Sequence, residues 1–172
     1  MSEQRVPGVP EQVDAWRMVE ARRGFSGQAP LAALTRLRDS LEDVEGEVRF
    51  ALDFGTDALQ VAYVDLDVEV ALPLQCQRSL RRFLQPVRIR QRLGLIRRES
   101  DEAALPAECE PLLVPADGLL RPLDLVEDEL ILALPVVPVA PDSEAVELDF
   151  APGAEETAGR GAFAALAGWK KS

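Results

Sequence analysis

Residues 64–72 read Val-Asp-Leu-Asp-Val-Glu-Val-Ala-Leu, with Val64, Leu66, Val68, Val70 and Leu72 alternating with Asp65, Asp67, Glu69 and Ala71. A period of two puts the apolar set on one side of an extended chain and the charged set on the other, so the segment predicts a strand with one buried and one wet face. The same period flanks it. Upstream, Val48, Phe50 and Leu52 alternate with Arg49, Ala51 and Asp53 before a turn signal at Gly55-Thr56-Asp57. Downstream, after Pro86, Val87, Ile89 and Leu93 alternate with Arg88, Arg90 and Arg92. Three consecutive strands with short connections predict an antiparallel meander. Apolar positions are even-numbered in the middle strand and odd-numbered in the third. Matching the buried faces therefore sets Asp65, Asp67 and Glu69 beside Arg88, Arg90 and Arg92 as a cross-strand charge ladder.

Around this sheet the pattern turns helical. Residues 10–24 predict a short helix ended by Gly24, with Val13 and Trp16 as its weak apolar face. Residues 30–42 predict a second, opened by Pro30 and carrying Leu31, Leu34, Leu37 and Leu41 at helical spacing. Residues 99–118 form an acidic connection in which Leu112, Leu113 and Val114 can add a short strand. Residues 122–134 predict the strongest helix, between Pro122 and Pro135. Leu123, Val126, Leu130 and Leu134 form its main stripe, with Leu125 and Leu132 on a second buried face. The reading is one α+β domain over 1–138: N-terminal helices, an antiparallel β meander and an acidic helix after the sheet. An acidic Pro/Ala/Gly-rich linker follows over 139–160. A short amphipathic C-terminal helix over 161–172 shows Phe163, Leu166 and Trp169 on one side.

Composition narrows the chemistry. The chain of 172 residues is 47% apolar, enough for a core and too much for a wholly disordered chain. It has no His, which removes the commonest general base and nitrogen metal ligand. Two cysteines, Cys76 and Cys109, cannot make a Cys-only zinc site. No apolar run is long enough to cross a membrane, and the first residues lack signal-peptide order, so a soluble, cytoplasmic protein without metal or cofactor is expected. The net charge of −11 is segregated: −7 over residues 1–70, +8 from arginines alone over 71–98, and −12 over 99–172.

Three sets of residues are candidates for function. Arg78, Arg81, Arg82, Arg97 and Arg98 have no carboxylate partners in the strand pattern and are candidates for contacting RNA phosphates. Asp124, Glu127, Asp128 and Glu129 suit a helix N-terminus and a wet face. Their functional alternative is a divalent-cation or general-acid site built on Asp124, Glu127 and Asp128. Cys76-Gln77-Arg78-Ser79 has the spacing of a cysteine pair with its second member replaced, which leaves Cys76 as a small residue at a hairpin end.

Three segments in order carry a resemblance: Leu72-Pro73-Leu74-Gln75-Cys76-Gln77-Arg78-Ser79-Leu80, then Asp124-Leu125-Val126-Glu127-Asp128-Glu129-Leu130-Ile131-Leu132-Ala133-Leu134-Pro135-Val136-Val137-Pro138, then Phe163-Ala164-Ala165-Leu166-Ala167-Gly168-Trp169-Lys170. This order resembles the YceD family of large ribosomal RNA subunit accumulation proteins. The resemblance implies a small non-enzymatic factor needed for accumulation of large-subunit (23S) ribosomal RNA. Its expected partners are ribosomal RNA, or a large-subunit ribosomal protein against Glu127, Asp128, Glu129, Phe163, Leu166 and Trp169; neither DNA nor membrane is expected. The family commonly carries Cys-x-x-Cys where this chain has Cys76 and Ser79, so no role of a cysteine pair transfers to it. Two rivals remain: a metal-dependent RNA hydrolase using the Asp124 set, and an adaptor that captures a partner with its C-terminal helix.

Overall fold

Alternation at period two becomes long strands in the computed structural model, which describes residues 8–143. In chain order these residues form β1 (Val13–Asp14), α1 (Ala15–Glu20), β2 (Gly24–Pro30), β3 (Glu47–Thr56), β4 (Ala62–Gln75), β5 (Arg82–Ile96), β6 (Glu110–Leu113), β7 (Leu119–Leu120) and α2 (Pro122–Ala133). The main sheet has the order β2-β3-β4-β5-β6. β2 to β5 run antiparallel as a meander, and β6 joins the edge parallel to β5. β1 and β7 make a separate two-stranded pair. The protein is α+β.

Parity decides the core. Val48, Phe50, Leu52 and Phe54 of β3 and Val64, Leu66, Val68, Val70 and Leu72 of β4 are all buried on one face. Against that face lie Ala15 and Val19 of α1, Leu31, Leu34 and Leu37 from the β2–β3 connection, and Leu125, Val126 and Leu130 of α2. The register pairs Asp65 with Arg92, Asp67 with Arg90 and Glu69 with Arg88, the alignment that parity predicts.

Three expectations are corrected. The helix expected over 10–24 is only Ala15–Glu20, and the chain after it is a strand, Gly24–Pro30, paired to β3. The helix expected over 30–42 is two single 3-10 turns, Leu31–Ala33 and Arg38–Ser40. Leu31, Leu34 and Leu37 are nonetheless fully buried, so their spacing reports contact with the sheet rather than a continuous helix. Finally, α2 buries Leu125 but leaves Leu132 74% exposed, so its second apolar face ends after the first two turns. Packing also runs past residue 138, because Ala140 is buried. The C-terminal segment with Phe163, Leu166 and Trp169 lies outside the described residues.

Candidate functional site

The wet face of the sheet is a ladder of ion pairs. Arg92 holds Asp65 with two hydrogen bonds, 2.7 Å from Nε and 2.6 Å from Nη2, and lies 4.0 Å over the ring of Tyr63. Asp67 is shared by Arg90 at 3.0 Å and Arg88 at 3.5 Å. Glu69 turns instead to Arg49 on β3, at 3.8 Å. A shallow groove on this face is lined by Asp53, Asp65, Asp67, Arg90 and Arg92. Its charges nearly cancel, so it favours neither an anion nor a cation.

The five arginines expected to be free are divided. Arg82 is not free: it binds the Asp43 carboxylate and reaches Glu45 at 3.3 Å. The Arg82 guanidinium first, then the Glu45 backbone N–H, hold the Asp43 carboxyl below its ordinary value. Arg98 meets Asp101 at 3.4 Å. The missed acids came from connections whose course no strand pattern reveals. Arg78, Arg81 and Arg97 have no carboxylate partner among the described residues. Arg78 donates to the Ser143 carbonyl at 3.3 Å, and Arg97 lies 3.9 Å over the Trp16 ring. The set is not one patch. Arg78 and Arg81 sit in the β4–β5 turn, and Arg97 follows the far end of β5. A strand of 15 residues separates them, about 50 Å at roughly 3.3 Å per residue.

The β4–β5 turn has its own architecture. Leu80 adopts a left-handed backbone, φ 57°, and is 67% exposed. Cys76 is completely buried beneath it. Its Sγ accepts hydrogen bonds from the backbone N–H of Ser79 at 3.4 Å and of Ala140 at 3.3 Å. Gln77 N–H donates to the Pro138 carbonyl at 2.9 Å, so the chain leaving α2 is strapped over the turn. The Ser79 hydroxyl, then the N–H groups of Ala140, Ser79 and Arg78, bring the Cys76 thiol down to about 6. Cys109 is pushed up, first by burial and then by Glu108. Ser79, standing where a second cysteine would be, thus acts as a donor to the first.

The acid set on α2 behaves differently from a wet charged face. Glu127 is buried, with 4% of its surface exposed. Its Oε1 accepts from the backbone N–H of Arg36 at 2.6 Å and of Leu37 at 2.9 Å, and its Oε2 accepts from Arg36 Nε at 3.0 Å. Arg36 also reaches Asp128 at 2.6 Å and the Asp124 carbonyl at 3.2 Å. Arg121 takes the Asp124 carboxylate at 3.7 Å. Burial first, then Glu110 and Asp128, raise the Glu129 carboxyl. Glu127 therefore anchors the β2–β3 connection rather than facing solvent. Asp124, Glu127 and Asp128 are each spent on an arginine or the backbone, and no three acidic or cysteine side chains among the described residues could hold a metal.

Sequence reading missed Arg17, Arg22 and Arg23, which lie exposed on and just after α1. None has a carboxylate partner among the described residues. Their signal is Arg22-Arg23-Gly24 at a helix end, outside the all-arginine run of 71–98.

The described residues contain no helix long and apolar enough to cross a membrane. The model of the family described as large ribosomal RNA subunit accumulation protein YceD matches residues 64–169. A protein of that name from Haemophilus influenzae is 28% identical over 131 residues, covering 76% of this chain and 75% of the relative. No solved structure matches the chain.

Proposed function

This chain belongs to the YceD family, and from that premise we propose that it is a non-enzymatic binding factor that supports accumulation of large-subunit ribosomal RNA by contacting that RNA directly. The observation that carries the reading is the β4–β5 turn, which lies inside the matched residues. Arg78 and Arg81 project there without a carboxylate partner among the described residues, beside an exposed Leu80. A protein of net charge −11 is repelled from RNA at long range. Short-range contact therefore depends on guanidiniums that its own acids leave unneutralised, and Arg suits bidentate phosphate geometry. The strap from Pro138 to Ala140 holds the turn in place. The test is subunit profiling on gradients, in cells lacking the protein and cells complemented with R78Q/R81Q. A fall in the ratio of large to small subunits in both is expected. An unchanged ratio in the deletion overturns the role, and full rescue by R78Q/R81Q overturns the turn as the contact.

A second reading, a protein partner, is favoured by a different observation. Leu132 is 74% exposed, Val137 60% and Val136 completely, an apolar strip at the exit of α2. Glu129 flanks it, which suits a basic ribosomal protein, and the segment with Phe163, Leu166 and Trp169 follows in the chain. Loss of large-subunit particles in L132D/V136D but not in R78Q/R81Q favours this reading over RNA contact.

A further inference from the structure

Among the described residues, the arginines without a carboxylate partner are Arg17, Arg22, Arg23, Arg78, Arg81 and Arg97. Two of them mark the β4–β5 turn. The other four gather around α1, at the opposite end of β5. α1 is 6 residues long, about 9 Å at 1.5 Å per residue. Trp16, with the Arg97 guanidinium 3.9 Å over its ring, therefore stands within about 9 Å of Arg22 along the helix axis. Arg17 and Arg23 line the same shallow groove.

The way the chain leaves α1 singles out Arg22. Arg23 N–H bonds the Met18 carbonyl at 3.0 Å and Arg22 N–H bonds the Val19 carbonyl at 3.1 Å. These two bonds define a Schellman end, whose left-handed position is usually glycine. Here that position is Arg22, with φ 47°. A bulky side chain held in this region is strained, and such strain is a pointer to function. A helix C-terminus favours a nearby cation, but that preference is met by any position in the last turn and does not require the strained one. Nor does it account for Arg97, whose guanidinium carbon lies 3.9 Å over the Trp16 ring while the residue stays exposed. No described acid forms an ion pair with the four: Asp14, which lines the groove with Arg17 and Arg23, accepts from the Arg17 backbone N–H as the cap of α1, and Glu20 pairs with none of them.

We propose that Arg17, Arg22, Arg23 and Arg97 form a second RNA-contacting surface, in which Arg17, Arg22 and Arg23 take backbone phosphates and the Arg97 plane on Trp16 stacks on a base. Guanidinium planes serve single-stranded RNA in this way. The inference rests on the RNA-binding reading above, but three of its four arginines, Arg17, Arg22 and Arg23, lie outside the residues that the family model matches, with Arg97 inside them, and it adds a site at the other end of the sheet.

The test is filter binding of the full-length chain to a transcript of the 23S ribosomal RNA across 50–300 mM KCl. The variants are R17Q/R22G/R23Q, R22G alone and R78Q/R81Q. Each phosphate contact contributes about 0.7 to the salt slope on single strands. The triple variant is therefore expected to lose about 2 in slope and at least tenfold in affinity at 150 mM KCl. R22G alone should weaken binding about threefold while its Tm stays the same or rises, because glycine relieves the strained position. Wild-type binding together with an unchanged slope in the triple variant overturns the α1 surface and leaves the turn reading standing. If the wild type does not bind the transcript, RNA contact fails for both sites. Phosphatidylglycerol vesicles are the control: binding to vesicles without binding to RNA assigns the patch to a membrane and overturns the proposal.

Discussion

Cys76 shows how one side chain can take a role that its residue type does not announce. From sequence it is a leftover thiol at a hairpin end. In the fold its sulfur is an acceptor at the meeting point of the β4–β5 turn and the Ala140 strap. Donors aimed at the sulfur stabilise the thiolate, so the folded protein binds its proton less tightly than the unfolded chain does. The sign follows: between about 6 and the ordinary thiol value the unfolded chain holds more protons, so stability rises with pH. That contribution is complete above the ordinary value and is lost as pH falls through about 6. Urea unfolding of wild type and C76S at pH 5.5, 7 and 8.5 reads it directly, and the wild-type advantage should grow with pH. Cys109, pushed up by burial, is present in both proteins and drops out of the difference. A difference that is flat across this range would mean that Cys76 stays a thiol. Glu127 is the second such residue. Removing its carboxylate leaves the Arg36 and Leu37 N–H groups without acceptors. Each unsatisfied buried donor costs roughly 1–3 kcal/mol, so E127A should lose about 2–4 kcal/mol in thermal or urea unfolding. E127Q keeps an acceptor and should lose about half as much.

Elements were legible where the chain alternates strictly and opaque where its partners are distant. Val64 to Leu72 could be read as a half-buried strand, and parity alone set its register with β5, because a slip of one residue would turn every Asp of β4 into the core. The ladder's branching, with Asp67 shared and Glu69 drawn to Arg49, needed the third strand and the twist between neighbours. β2 was invisible because Gly24-Phe25-Ser26-Gly27-Gln28-Ala29-Pro30 has little β propensity; pairing with β3 imposes its extended form. Leu31, Leu34 and Leu37 have helical spacing, yet an intervening turn satisfies the same burial, since the sheet sees only where the side chains point. The site residues divide in the same way: the neutralised Arg88, Arg90 and Arg92 followed from parity, whereas Asp43 reaching Arg82 and Glu127 reaching Arg36 are long-range contacts that no local pattern encodes. At this scale Asp67 is the ladder's hub, with two arginines on one carboxylate. Cross-strand opposite-charge pairs contribute about 0.2–1 kcal/mol each, and like charges opposed are unfavourable. D67K should therefore cost about 1–2 kcal/mol. The loss should be larger at 20 mM than at 300 mM NaCl, because these carboxylates are 42% exposed and screened.

Over the whole molecule, the net charge of −11 conceals a division of labour. The central sheet consumes its own arginines, so the middle of the wet face is close to neutral. Among the described residues, the arginines without a carboxylate partner stand at its two ends, Arg78 and Arg81 at one and Arg17, Arg22, Arg23 and Arg97 at the other. On the proposed reading, an acidic protein built this way would meet RNA at two separated points rather than along a continuous basic stripe. The spacing makes the two points thermodynamically separable, since sites more than about 10 Å apart with no shared partner usually add within about 0.5 kcal/mol. Combining R78Q/R81Q with R17Q/R22G/R23Q should therefore multiply the two losses of RNA affinity and sum their changes in salt slope. A shared site would behave otherwise: once one set was removed, removing the second would cost little more. Multiplicative loss is expected because the two sets stand beyond opposite ends of β5, which is paired to β4 along 13 positions between them, and they share no partner.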